Sequence, residues 1–202
     1  MLNRFRAFWT KVTSPAAHLF LRLGISPDAV TVVGTLGVCA GALIFFPRGQ
    51  LLIGVLVITA FVFSDLVDGH MARISGQSSK WGAFLDSTLD RLGDAAIFGG
   101  LAMYYIGPGD SRSLAGLAIY CLVMGSVTSY ARARAESLGM EARGGIAERA
   151  DRLVAILVMT GLSDIFDVPV LVPITLGVLA VASTVTVVQR ILTVRAQAKA
   201  EA

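Results

Sequence analysis

Apolar residues run through this chain in blocks rather than in narrow stripes. Six blocks stand out, at residues 29–46, 51–68, 95–106, 114–130, 153–166 and 172–192. A helix crossing the hydrocarbon core of a bilayer needs about 20 such residues. The third and fifth blocks are short as purely apolar runs. They reach spanning length only when their polar ends are included, back to about Gly82 and Glu148. "PRGQ" after Phe46 and "GPGDSRS" after Ile106 are turn-rich breaks. "LGISPDAV" reads as a helix start, with Ser26 as the cap and Pro27 at the first helical position. Ahead of it, "RFRAFWTKV" and "HLFLRL" alternate basic with aromatic or aliphatic residues. That alternation predicts an amphipathic interfacial helix in residues 1–24, lying on the membrane rather than through it.

The basic residues orient the six spans. With the N-terminus inside, 15 of the 17 Lys and Arg fall in cytoplasmic segments, and only Arg48 and Arg112 fall outside. This satisfies the positive-inside rule and predicts both termini cytoplasmic. The expected fold is therefore an all-α membrane protein of six transmembrane helices plus the N-terminal interfacial helix. Its parts are a juxtamembrane segment at 1–24, one helical domain at 25–196 and a short tail at 197–202. Composition agrees: 55% of the 202 residues are hydrophobic and 15% charged, against roughly a quarter charged in soluble domains. Cys39 and Cys121 sit alone in apolar runs and read as packing residues. Residues 1–24 lack the unbroken apolar core of a cleavable signal peptide. No nucleic-acid partner is expected.

Against this background, "SDLVDGHMARISGQSSKWGAFLDSTLD" at residues 64–90 is anomalous. Asp65 and Asp68 are three apart, and Asp86 and Asp90 four apart, so each pair shares a helix face. Gly69, Ala72 and Gly82 keep the acidic stripes uncluttered. A charge at mid-membrane costs about 2.5–3.5 kcal/mol on insertion scales, less near the interface, and clustered like charges repel. One reading is a solvated helix end whose aspartates pair with Arg73, Lys80 and Arg91. The other is a divalent-cation site: hard carboxylate oxygens from two helices suit Mg²⁺, and four of them suit two ions.

The run Asp65-x-x-Asp68-Gly69-x-x-Ala72-Arg73, then Gly82-x-x-x-Asp86-x-x-x-Asp90, resembles the signature of the CDP-alcohol phosphotransferases. Eight defining positions fall in a 26-residue window. The resemblance implies a homodimer, a site with two Mg²⁺ ions (Mn²⁺ an alternative) and displacement of CMP from a CDP-linked lipid by an alcohol. It makes Asp65, Asp68, Asp86 and Asp90 the metal ligands, with Asp90 also the general base. It assigns Gly69, Arg73 and Ser79 to the CDP-diacylglycerol side, together with Asp28, Ala29, Val30 and Thr31 of "PDAVT". Asp28 stands where many members carry Asn. Asp94 extends the stripe by a turn; it is open to a role in orienting the acceptor or to structural pairing with Arg91 or another arginine. His70 occupies a variable slot of the motif, and His18 lies in the amphipathic segment.

Residues 129–152 and "VVQRILTV" resemble the actinobacterial branch of that family that makes phosphatidylinositol phosphate. That branch joins CDP-diacylglycerol to inositol 1-phosphate, and the resemblance assigns the acceptor phosphate to Arg132, Arg152 and Arg190. Many relatives carry Lys at the Arg132 position. Arg134 and Arg149 belong to the same basic cluster, which otherwise reads as a solvated face or a lipid-headgroup contact. Arginine suits a phosphate because its planar fork donates two parallel hydrogen bonds. The implied setting is the cell membrane, with membrane lipid around the spans and the active site facing the cytoplasm. Rival expectations are the same chemistry on glycerol 3-phosphate, giving phosphatidylglycerophosphate; a membrane prenyltransferase, which lacks Asp-Gly-x-x-Ala-Arg; and an ion or proton transporter, which would place carboxylates along both halves of a path.

Overall fold

The computed structural model describes residues 14–15, 17–76 and 79–200, apart from the side chains of residues 64–66, 68 and 72. The expected interfacial helix falls largely outside these residues, as do residues 201–202 of the tail; residues 17–22 are helical. The described residues form helices and no strand: α1 (Pro27–Phe45), α2 (Leu51–Val62), α3 (Ser64–Ile74), α4 (Lys80–Ile106), α5 (Arg112–Ser137), α6 (Arg149–Ile165) and α7 (Leu171–Ala200).

Their ends follow local chemistry. Ser26 accepts a hydrogen bond from the Ala29 amide at 3.2 Å, and Pro27 opens α1, as the sequence predicts. Ser111 caps α5 by accepting from the Leu114 amide at 3.4 Å. Between α1 and α2 a short 3₁₀ turn, Phe46–Arg48, ends on Gly49 at φ +76°, a left-handed position that favours glycine. The apolar block at 95–106 becomes α4 by running back to Lys80, and the block at 153–166 becomes α6 by running back to Arg149.

One expectation changes. Residues 51–68 are not a single helix: α2 ends at Val62 and α3 begins at Ser64. Phe63 between them keeps right-handed angles, φ −63° and ψ −19°, and its amide donates to the Thr59 carbonyl at 3.2 Å. The chain therefore tightens for a turn rather than reversing. The tightening falls where the sequence passes from apolar to acidic, so the carboxylates Asp65 and Asp68 belong to a helix of their own.

Three segments are long and apolar enough to cross a membrane: Pro27–Arg48, Arg112–Ser137 and Leu171–Ala200; Leu51–Val62 is a shorter apolar helix. α4, at 27 residues, is about 40 Å long, apolar in one half and charged in the other. Six helices close a ring: α1 packs on α2 and α4, α4 on α5, α5 on α7, α7 on α6, and α6 back on α2. α3 attaches to this ring through α1 and α2. Phe46, Ile58, Ile97, Leu101, Ala118, Cys121, Ile156 and Leu176 fill its core. Cys121 is buried and Cys39 half-buried, and both are free thiols.

Small residues set how closely these helices approach, since lipid supplies no hydrophobic drive for helix association. At Gly100, an added Cβ would stand 2.7 Å from the Ala42 carbonyl oxygen of α1. Leu36, Leu56, Val154, Ile174 and Val181 point outward and are exposed, the apolar outer surface of a membrane protein. Three hydroxyls within the bundle are satisfied locally: Thr128, Thr175 and Thr186 each donate to a carbonyl four residues back. At one end of the bundle, the Trp81 indole N–H donates to Asp28 Oδ2 at 3.0 Å, joining the starts of α1 and α4. At the other, the Leu52 amide donates to Asp164 Oδ2 at 2.9 Å, joining α2 to the end of α6.

Candidate active site

The charged half of α4 is the base of the site. Ser79, in an extended conformation, caps the helix by accepting from the Gly82 amide at 2.9 Å. Asp86, Asp90 and Asp94 then follow at intervals of one turn and become progressively more covered. Asp86 is exposed, Asp90 partly covered, and the Asp94 side chain only 7% exposed. Asp65 and Asp68 lie on α3, three residues apart; their side chains and that of Ala72 fall outside the described atoms. The described side chains by themselves contain no group of three candidate metal ligands. Gly69 has an open side, since a Cβ there would meet nothing within 4 Å. Arg73, a turn further on, is exposed. Neighbouring His70 is buried, and burial, reinforced by Arg73 and His18, pushes its imidazole below the usual range.

The "PDAVT" element divides by face. Asp28 and Ala29 lie towards the surface, with Asp28 held by Trp81. Val30 is buried with Ala17 and Met71, and the buried Thr31 hydroxyl donates to the Pro27 carbonyl at 3.1 Å.

The arginines arrive from α4, α5, α6 and α7. Arg149, the first residue of α6, spans two carboxylates of α4. Its Nη1 lies 2.8 Å from Asp90 Oδ1 and its Nε 3.0 Å from Asp94 Oδ1. Arg91 approaches the same pair, with Nη1 3.4 Å from Asp94 Oδ2 and Nη2 3.9 Å from Asp90 Oδ2, and also donates to the Ser129 hydroxyl of α5. Arg152 is buried, donating to the Ala147 carbonyl at 3.0 Å and the Gly125 carbonyl at 3.4 Å. Gly125 makes this fit, since a Cβ there would stand 3.3 Å from the guanidinium. Arg190, also buried, donates to the Thr128 carbonyl at 2.6 Å and the Gly144 carbonyl at 3.1 Å. Arg132 is exposed and pairs with Glu136 at 2.9 Å.

α7 also holds the loop that delivers Arg149 and Arg152. Thr186 accepts from the Ile146 and Ala147 amides at 3.1 and 3.2 Å, and Gln197 exchanges two hydrogen bonds with the Glu141 backbone. Gly145 passes over Thr186 at φ +137°, where a Cβ would stand 2.2 Å from the threonine methyl.

These groups surround one open cavity of about 490 Å³, whose walls include Asp90, Arg91, Arg132, Arg149, Arg152 and Arg190. Asp90 thus shares a chamber with the three arginines that the family resemblance assigns to a phosphate, and Glu136 and Glu148 also line it. An anion entering it meets guanidiniums on several sides, with a carboxylate placed to accept a proton. Of the two readings left open for Asp94, the pairing with Arg91 is present, and Arg149 joins it. The direct Arg149–Asp90 pair went unread in the sequence. Those residues are far apart in the chain, and only the alternation of acid on α4 with base at the start of α6 hinted at it.

Comparison with known proteins gives a consistent answer. The family model for CDP-alcohol phosphatidyltransferase matches residues 24–181. The phosphatidylinositol phosphate synthase of Streptomyces avermitilis is 55% identical over 202 aligned residues, covering 96% of this chain and 83% of that one. The crystal structure of Mycobacterium tuberculosis phosphatidylinositol phosphate synthase with CDP-DAG bound superposes with a TM-score of 0.88 at 42% identity, covering 91% of this chain and 94% of that one. The same enzyme in complex with manganese and citrate superposes with a TM-score of 0.85 at 43% identity, covering 90% and 88%. With its acidic motif, its helical bundle and these relatives in agreement, the chain belongs to the CDP-alcohol phosphatidyltransferase family.

Proposed function

We propose that this enzyme transfers the phosphatidyl group of CDP-diacylglycerol to the hydroxyl of inositol 1-phosphate, giving phosphatidylinositol phosphate and CMP. The observation that carries the proposal is the single cavity joining Asp90 to Arg132, Arg152 and Arg190. The names of its relatives support the same donor and the same product.

The chemistry follows from the residues. The acceptor's phosphate is drawn to the arginine wall, where forked donors match its oxygens. Its hydroxyl attacks the β-phosphorus of the donor, a new P–O bond forms, and the bond to CMP breaks. The hydroxyl proton passes to Asp90, the general base. Asp65, Asp68, Asp86 and Asp90 would hold two Mg²⁺ ions, or Mn²⁺ as in one relative's crystal. The fit rests on an all-oxygen donor set, an exposed Asp86 one turn from Asp90, and the open side of Gly69. Such ions neutralise charge on the diphosphate. Ser79, Arg73 and Gly69 would contact the CDP group, with Asp28, Ala29, Val30 and Thr31 forming the neighbouring wall.

The setting we propose is a six-span protein of the cell membrane, with residues 25–196 as its domain and the segments 1–24 and 197–202 flanking it. Both termini and the site face the cytoplasm, and the working unit is a homodimer. Purified protein given Mg²⁺, CDP-diacylglycerol and either inositol 1-phosphate or glycerol 3-phosphate tests the assignment. CMP release with the inositol phosphate is expected to dominate, and preference for glycerol 3-phosphate would replace the proposed acceptor.

A further inference from the structure

The loop between α5 and α6 closes a second cavity against α7. About 350 Å³ is walled by Arg143, Gly144, Gly145, Gln189, Arg190 and Thr193. Of these six, only Arg190 also lines the 490 Å³ cavity. None of them is acidic, whereas Asp90, Glu136 and Glu148 all line the larger cavity. Arg143 enters none of the ion pairs among the described residues. Two guanidiniums, an amide and a hydroxyl thus border one space without a carboxylate in its walls. That donor set suits the oxygens of a phosphate.

The walls are held in place. Gln197 binds the Glu141 backbone and Thr186 the Ile146 and Ala147 amides, so the loop is tied to α7 on both sides of Arg143. Arg190 is buried, and its Nε donates to the Gly144 carbonyl at 3.1 Å. The outside of α7 leads to this place. Val181, Val188 and Leu192 are exposed and spaced seven and four residues apart, which makes them one apolar stripe. Gln189 and Thr193 each follow a member of that stripe by one residue and form the adjoining polar strip, four residues apart on a shared face. Past them the helix turns polar, with Arg195, Gln197 and Lys199. A molecule with its chains along the stripe would bring a phosphate to the cavity.

We propose that this second cavity seats the phosphate of an anionic phospholipid, and that its occupancy weakens the hold of the neighbouring cavity on a phosphorylated acceptor. The seat stands on the geometry of α7 and its loop; the coupling rests on the proposed function and deepens it. A free phosphate would use the donors and leave the apolar stripe unused, whereas a lipid uses both. Basic pockets at headgroup level select anionic lipids through charge. Once seated, the lipid phosphate shares the Arg190 guanidinium with any anion in the larger cavity. Two anions on one guanidinium repel and divide its donors, so each lowers the other's affinity by the same factor. The product of the proposed reaction is itself an anionic phospholipid. Its build-up in the surrounding leaflet would therefore slow acceptor capture.

Binding is read without substrates. Protein in detergent is titrated with phosphatidylglycerol, phosphatidylcholine or inorganic phosphate, and adducts are counted by native mass spectrometry. Phosphatidylglycerol is expected to bind more tightly than phosphatidylcholine, and Arg143→Gln to weaken it about fivefold. The control Arg134→Gln removes the same charge from an exposed residue that lines neither cavity, and should bind as the unaltered protein does. Equal affinity in the two variants, or displacement of phosphatidylglycerol by equimolar inorganic phosphate, would overturn the lipid seat. Coupling is read as the acceptor KM for CMP release in phosphatidylcholine nanodiscs with and without phosphatidylglycerol. The anionic lipid should raise that KM more in the unaltered protein and in Arg134→Gln than in Arg143→Gln. An equal rise in all three would reduce the effect to surface charge and overturn the coupling. Absence of CMP release with inositol 1-phosphate in phosphatidylcholine alone would sink the proposed function and the coupling with it, while the adduct measurement still judges the seat.

Discussion

The two halves of α4 are built for opposite purposes. From Ala95 to Ile106 the helix is core: Ala96, Ile97, Phe98 and Leu101 are buried, and Gly100 presses on the backbone of α1 with no room for a methyl group. Between Lys80 and Asp94 the same helix turns Ser87, Asp90 and Arg91 towards an open chamber, and Asp90, Arg91 and Asp94 are engaged by ion pairs. The difference teaches that rigidity and reactivity are supplied by different stretches of one element. The packed half fixes the helix axis to within the tolerance of tight contacts. The charged half then presents its ion-paired side chains from a fixed backbone. A site built on a rigid element holds its geometry better than one built on loops.

Four experiments would break or sharpen this contrast, in decreasing order of effect. Asp90→Asn should lower turnover by about 10²–10⁴-fold while membrane insertion and thermal stability stay near those of the unaltered protein. Retained activity in an assay of CMP release would remove Asp90 as the base. Arg190→Ala should raise the acceptor KM by about tenfold or more, as expected for loss of a hydrogen bond to a charged group. The donor KM should move much less; equal effects on both substrates would deny that Arg190 serves the acceptor side. Gly100→Val, in the packed half, should cost about 1–3 kcal/mol, read as a lower melting temperature in detergent with the relative use of the two substrates unchanged. Ser79→Ala removes the cap of the charged half and should cost about 0.5–2 kcal/mol. The same melting assay reads that loss, and an unchanged melting temperature would show that the cap contributes little.

How far the sequence revealed all this depended on the range of each signal. Ser26 and Pro27 announced α1 because capping is a local matter. The extensions of α4 to Lys80 and of α6 to Arg149 were legible because short apolar blocks needed polar turns to become long helices. Spacing put the acidic motif on shared helix faces, and its chemistry was legible only through its resemblance to the family signature. The break at Phe63 left no mark, since the apolar pattern runs straight through it and neither proline nor glycine is there. The Arg149–Asp90 pair was hidden for another reason: it exists only after α6 has closed against its neighbours. The burial of Arg152 was equally unreadable, because a cluster of arginines looks like a solvated face until Gly125 on another helix is seen to make room for one of them.

The ring of helices carries a lesson about biogenesis. The acidic motif is complete once α4 has been made, but Arg149, Arg152 and Arg190 are supplied by α6 and α7, the final hairpin to emerge. A nascent chain that has reached only α5 would own the acidic motif with Arg91 and Arg132 but without Arg149, Arg152 and Arg190. Closure of α6 against α2, and of α7 against α5, therefore finishes the ring and the arginine-lined cavity in a single event. Partially inserted molecules would be unable to seat an acceptor, and the capacity for transfer would come with the last helices.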